Sequence, residues 1–164
     1  KAFAGMGADG GHEVTTRLFG TFLTWMQEKT SAAFVVATAN DITKLPPELL
    51  RKGRFDEIFF VGLPTSEERR KIFEIHIAKR RKQDMAKIKL SDLVSKTEGY
   101  SGADIEGVVK EAVECAFADG KDAVTTEDIL AAIKNTNSLS VIMKEPLEKM
   151  KKEYEQRKLK NASR

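Results

Sequence analysis

The sequence predicts an α/β segment that gives way, after Pro64, to an all-helical one. Three observations carry this reading. Two short apolar runs, "FVVA" at 34–37 and "EIFFVGLP" at 57–64, have the pattern of strands buried on both faces, as in a parallel sheet. An amphipathic helical stripe precedes them. Beyond Pro64 the apolar residues recur at helical spacing, and capping signatures open the helices.

Taken in order, residues 5–11, "GMGADGG", form a glycine-rich loop. From Glu13 to Glu28 the residues Val14, Leu18, Phe19, Phe22, Leu23 and Met26 trace one helix face. The prolines of "LPPELL" suit a helix start, which predicts one short turn over 48–51. The second strand ends at Gly62 and Pro64. Thr65-x-x-Glu68 is a capping box opening a helix through Ile72, Phe73, Ile75, His76 and Ile77 to about Arg81. A short helix over 90–96 stops at Glu98-Gly99, and Ser101-x-x-Asp104 caps the next, whose inward stripe is Ile105, Val108, Val109, Ala112 and Ala116. Thr126 is expected to cap a helix through Ile129, Leu130 and Ile133. Residues 144–160 read as a charged helix with Leu147, Met150 and Tyr154 on one face.

Composition narrows the function classes. A length of 164 residues holds one domain or two small lobes, and 41% hydrophobic with 32% charged residues is ordinary for a soluble protein. A net charge of +3 is too small to argue for nucleic acid or a membrane surface. The basic tail interleaves Glu145, Glu148, Glu153 and Glu155 with its lysines, the pattern of a solvated helix. The lone Cys115 excludes an internal disulfide and a cysteine-based zinc site, and its apolar neighbours predict a buried thiol. No apolar run reaches the length of a membrane span and no signal-peptide pattern opens the chain, so the expected location is cytoplasmic. Two strands are too few for a parallel sheet buried on both faces, and the chain begins at Lys1. Both lead to the expectation that the chain is a piece of a longer protein.

The chemistry concentrates in one stretch. The first strand run ends at Asn40, and in open α/β sheets ligands sit at the carboxyl ends of strands. Read alone, "AND" is equally ordinary turn chemistry. Arg51 and Arg54 follow, on either side of Gly53, which lets the loop bend so that both project the same way. A guanidinium carries a fixed charge and a planar fork of donors that matches phosphate oxygens. Read alone, such a pair is more often a solvated face.

Together, "FVVATANDITKLPPELLRKGRFDEIFFVGLPTSEERRKIFEIH" and "TEGYSGADIEGVVKEA" closely resemble the second half of an AAA ATPase module. The first resembles the second region of homology; the second resembles the signature of the helical lid. The likeness runs over about residues 13–136, and the tail and "FLTWMQEKTS" look most like an AAA group of bacteria and plastids. The fold it implies is the carboxyl-terminal part of a P-loop NTPase α/β/α parallel-sheet subdomain over 1–63, a helical lid over 64–136 and a charged tail over 137–164. The resemblance places Asn40 at the sensor that holds the attacking water. Arg51 and Arg54 fall at the arginine-finger positions, which act on ATP bound by a neighbouring subunit. It places Ile72 and His76 in the adenine and ribose pocket, and the backbone of Gly102 and Ala103 against the nucleotide. A histidine at position 76 is, by itself, more often a helix-packing residue. Residues 5–12 fall where the family has a substrate-facing pore loop, while His12 is a surface residue. The implied cofactors are ATP and Mg²⁺, and the implied partners are neighbouring AAA subunits, in a homo-hexameric ring that remodels a macromolecule.

Departures from the family pattern also matter. Ala39 stands where Thr is usual, Asp41 where Arg is common, and Lys52 where Pro is usual. No G-x-x-x-x-G-K-[ST] occurs, and neither does the apolar strand ending in Asp-Glu that would hold Mg²⁺. The chain alone is therefore expected neither to bind nor to hydrolyse ATP. A rival from another class is a non-catalytic module that docks on a complete ATPase subunit.

Overall fold

The computed structural model describes residues 11–28, 30, 32–51, 53–157 and 159–163, with side chains from residue 17 onward. Residues 5–10 of the glycine-rich loop, the side chain of His12, and Lys52 lie outside this description. The chain divides into two units, Lys1–Ile58 and Phe59–Arg164.

In the first unit, helix α1 spans Gly11–Glu28. Of its expected inward face, Phe19, Phe22, Leu23 and Met26 are half-buried and Leu18 is exposed, as is Trp25 beside that face. Phe22 stacks on Trp25 with centroids 5.9 Å apart. Residues 32–39 correct the strand expected over 34–37. They run without strand pairing, with Phe34 94% and Val36 76% exposed. A parallel strand exists only by lending its amides and carbonyls to neighbours, and among the described residues no strand forms a ladder with this run. Asp41 then caps the 3-10 turn Ile42–Lys44, accepting from the Thr43 amide at 2.9 Å. A second 3-10 turn, Pro47–Leu50, forms where "LPPELL" predicts one, with Leu49 buried.

The second unit is mainly helical. Strand β1 is only Phe59–Phe60, and it is partnered by β2, Lys160–Asn161, in parallel register Phe59↔Lys160 and Phe60↔Asn161. Between them lie α2 (Ser66–Arg81), a 3-10 turn (Lys82–Lys87), α3 (Leu90–Ser95), α4 (Gly102–Ala118), α5 (Thr126–Asn135), α6 (Leu139–Ile142) and α7 (Lys144–Arg157). The predicted 144–160 helix thus ends early, and its last residues become an edge strand. Tyr154 stacks on Phe60 with centroids 4.5 Å apart, and the Ala162 amide donates to the Phe60 carbonyl at 2.9 Å.

The core sits around α4, which packs against α2 and α5, while α3 packs against α2 and α5. All five predicted inward residues of α4 are buried, beside Phe73 and Ile77 of α2, Leu93 of α3 and Ile129 and Ile133 of α5. Each large side chain so buried contributes about 1.5–3 kcal/mol. Cys115 is exposed, contrary to the expectation of a buried thiol. It lies one position off the stripe that runs through Ala112 and Ala116, so its apolar neighbours in sequence are not its neighbours in space. Capping boxes open α2, α4 and α5. For α5 the cap is Thr125, not Thr126, because only Thr125 has a carboxylate three residues on, Asp128. Thr126 is buried and accepts from the Lys89 amide at 2.9 Å.

Candidate functional site

In the first unit, Asn40 is exposed at a bend that ends the extended run. Arg51 is exposed just after the second 3-10 turn. Gly53 has φ +88, a left-handed conformation that favours glycine. Arg54 is half-buried and engaged. It reaches the Gly53 carbonyl at 3.5 Å. With the Gln27 amide oxygen turned toward the guanidinium, Gln27 of α1 accepts from Arg54 Nη1 at 3.3 Å and from Nη2. Its Nε is buried without a partner among the described residues. The two arginines therefore differ: one is presented to solvent, and the other is braced against α1.

In the second unit, Ile72 and His76 lie one turn apart on the same face of α2. Facing them, Gly102 and Glu106 lie one turn apart on α4. The two faces meet in register. A Cβ at Gly102 would sit 3.8 Å from Ile72 Cδ1, an ordinary contact distance. One turn on, His76 Nδ1 is 3.5 Å from Glu106 Oε1 and 3.2 Å from Arg80 Nη1. Arg80 Nη2 donates to the same Glu106 oxygen at 2.7 Å. This hydrogen bond from Arg80 is the main reason the Glu106 carboxyl is held below the usual carboxylate range. Ala103 is exposed beside Gly102, at the amino end of α4.

The "GYSGAD" segment is a junction of helices, and Gly99, Tyr100, Ser101 and Asp104 each have a mechanical task. Gly99 has φ +77, and a Cβ there would meet Ser140 Oγ at 2.2 Å. The Tyr100 hydroxyl lies 3.0 Å from the Ile133 carbonyl and 2.7 Å from that of Thr136, so it closes the carboxyl end of α5. Burial is what raises the Tyr100 phenol above its ordinary range. Ser101 caps α4, and Asp104 Oδ2 accepts from the Ser101 amide at 2.8 Å and the Leu139 amide at 3.1 Å. The tie to Leu139 seats α6 on the amino end of α4. The ties of Arg80 to Glu106, of Leu139 to Asp104 and of Ser140 to Gly99 carried no signal in the sequence, since the partners lie 26 to 41 positions apart.

The described residues contain no group of three His, Cys, Asp or Glu side chains able to hold a metal ion. The donor set for Mg²⁺ is therefore not met by them. Among the described residues, no helix is long and apolar enough to cross a membrane.

Comparison with known proteins agrees with this geometry. Residues 2–63 match the model of the ATPase family associated with various cellular activities (AAA), and residues 87–131 match the AAA+ lid domain. The chain belongs to the AAA ATPase family. It is an AAA α/β region followed by a helical lid, in that order. It is 45% identical over 150 residues to the uncharacterised AAA domain-containing protein ycf46 of Pyropia yezoensis, covering 92% of this chain and 30% of that protein. To the ycf46 protein of Guillardia theta it is 44% identical, with 92% and 29% covered. It is 40% identical over 121 residues to the proteasome-activating nucleotidase of Saccharolobus solfataricus, covering 74% of this chain and 29% of that one. The chain thus spans less than a third of the length of these relatives.

Proposed function

We propose that this chain is the carboxyl-terminal part of an AAA ATPase subunit, supplying a sensor, trans-acting arginines and a lid. The observation that carries this is the register of α2 against α4, which sets Ile72 beside Gly102 and His76 beside Glu106. In this reading Ile72 and the backbone at Gly102 and Ala103 meet the base of the nucleotide, and His76 meets its ribose end. Asn40 orients the attacking water. Arg51 and Arg54 stabilise charge on the γ-phosphate of ATP held by a neighbouring subunit; of the two, Arg51 is the exposed one. ATP with Mg²⁺ supplies the phosphoryl chemistry when bound, and the metal and phosphate cradle belong to residues other than those described. The parent protein assembles as a ring, a homo-hexamer, in the cytoplasm or plastid stroma, and spends ATP on remodelling a macromolecule.

Calorimetry with ATP–Mg²⁺ tests the division of labour. The chain alone is expected to show no tight binding, and micromolar affinity overturns the trans reading. In a chain joining this segment to an AAA phosphate-binding half, Arg51→Ala is expected to lower hydrolysis by about 10³-fold or more. Hydrolysis that survives both Arg51→Ala and Arg54→Ala removes the arginines from the mechanism. The rival, a module that docks without turnover, predicts that the joined chain binds ATP and does not hydrolyse it.

A further inference from the structure

The His76, Arg80 and Glu106 cluster has a consequence for what His76 can offer a ligand. Arg80 reaches His76 along one turn of α2, and Glu106 approaches both from α4. The side chains of His76 and Arg80 are only 19% and 21% exposed, so water competes weakly for the contact between these two, while Glu106 is 44% exposed. A guanidinium is always a donor and never an acceptor. At 3.2 Å, Arg80 Nη1 can bond His76 Nδ1 only if that nitrogen bears a lone pair, which places the ring proton on Nε2. Glu106 asks for the opposite tautomer, since its oxygen accepts and would draw a proton onto Nδ1 from 3.5 Å. The shorter contact wins, because 3.5 Å is the outer limit for a hydrogen bond to Glu106. Its Oε1 takes a charge-assisted bond from Arg80 Nη2 at 2.7 Å, which also aims the guanidinium at the ring.

We propose that Arg80, held by Glu106, is a positioning residue that fixes His76 as the Nε2–H tautomer, so that the lid presents a hydrogen-bond donor to an acceptor oxygen or ring nitrogen of its ligand. The ligand's identity as a nucleotide rests on the function proposed above; the tautomer does not. The chemistry selected is a group with a lone pair, such as a sugar hydroxyl oxygen or an unprotonated ring nitrogen. A group that only donates finds no partner at Nε2.

The test is long-range ¹H–¹⁵N NMR of the imidazole in the ligand-free 164-residue chain, which distinguishes a protonated from an unprotonated ring nitrogen. The expected result is Nδ1 unprotonated and Nε2 protonated, by a ratio of about tenfold or more, the size a single hydrogen bond from a charged donor supports. Arg80→Met is expected to shift the ring toward Nδ1–H, with Glu106 as the remaining partner. Arg80→Lys, which keeps a donor, is expected to restore much of the Nε2–H form, and Glu106→Gln is expected to leave Nδ1 unprotonated. A ring protonated on Nδ1 in the unaltered chain overturns the proposal, as does a tautomer ratio unmoved by Arg80→Met in a chain whose backbone spectrum stays folded. If Arg80→Met unfolds the chain, the Lys and Gln variants decide: loss of the Nε2–H form in both overturns it. Because no nucleotide is present, a chain that never binds ATP can pass this test, and failure of the tautomer leaves the nucleotide reading to its own experiment.

Discussion

Replacing Gly99 with alanine probes the junction on which the lid depends. Two separate costs arise, and the structure lets them be told apart. The backbone at Gly99 has φ +77, and a residue with a Cβ in the left-handed region pays about 1–2 kcal/mol. The new Cβ would also lie 2.2 Å from Ser140 Oγ and 3.0 Å from Ser140 Cβ. Ser140 can turn away only by giving up its 2.9 Å hydrogen bond to Ser138, about 1 kcal/mol in a partly buried site. Gly99→Ala should therefore cost about 2–3 kcal/mol in a urea titration followed by circular dichroism. Gly120→Ala is the control: φ is +69 there and nothing lies within 4 Å, so only the backbone cost of about 1–2 kcal/mol is expected. Ser140→Ala removes the clashing oxygen, so in Gly99→Ala/Ser140→Ala the two losses should fall short of additivity by about 1 kcal/mol. A Gly99→Ala loss below about 0.5 kcal/mol, or strict additivity with Ser140→Ala, refutes the close approach of α6 to this turn.

Three further outcomes are expected. Asp104→Ala removes the α4 capping box and the bond to the Leu139 amide, and should cost about 1–2 kcal/mol with faster hydrogen exchange at Leu139; unchanged exchange there denies the seat of α6. The buried Asp84 accepts from the Val124 amide at 3.0 Å and from Arg81 at 2.7 Å, and these, the backbone bond foremost, hold its carboxyl below the ordinary value of 3.8. A lowered folded value means its stabilisation is complete above the unfolded value and is lost as pH falls through the folded one, so the urea midpoint should drop below about pH 4, less steeply in Asp84→Asn; equal acid slopes refute this. Cys115, exposed on α4, should react with a maleimide in the folded chain at close to its rate in urea, and strong protection by folding contradicts its position.

The lid was legible because its signals are local. A capping box spans four residues, and a buried stripe repeats every three or four, so α2, α4 and their inward faces follow from neighbours in the chain. The displaced cap of α5 shows the limit of a looser rule: two adjacent threonines look alike until the carboxylate at the third following position is required. Cys115 shows another: its apolar sequence neighbours belong to a face it does not share.

The site was legible only in part. The resemblance to the AAA family implied Asn40, Arg51 and Arg54 as a phosphate-facing set and Ile72, His76, Gly102 and Ala103 as the nucleotide face of the lid; read alone, these residues implied neither. What holds these residues was invisible. Gln27 braces Arg54 from α1, and Arg80 with Glu106 decides which nitrogen of His76 carries the proton.

By itself, then, the sequence determined the helices of the lid, because these rest on local spacing, and by its resemblance to a family it pointed to the candidate groups. The tertiary structure alone decided strand pairing, register and engagement. An apolar run such as 34–37 has the composition of a strand, but a strand is a relation to a neighbour. The residues at 160–161, which carry no strand pattern, became one by lying beside Phe59 and Phe60. Backbone hydrogen bonds between strands are blind to side-chain identity, so no local pattern announces which partner will make them.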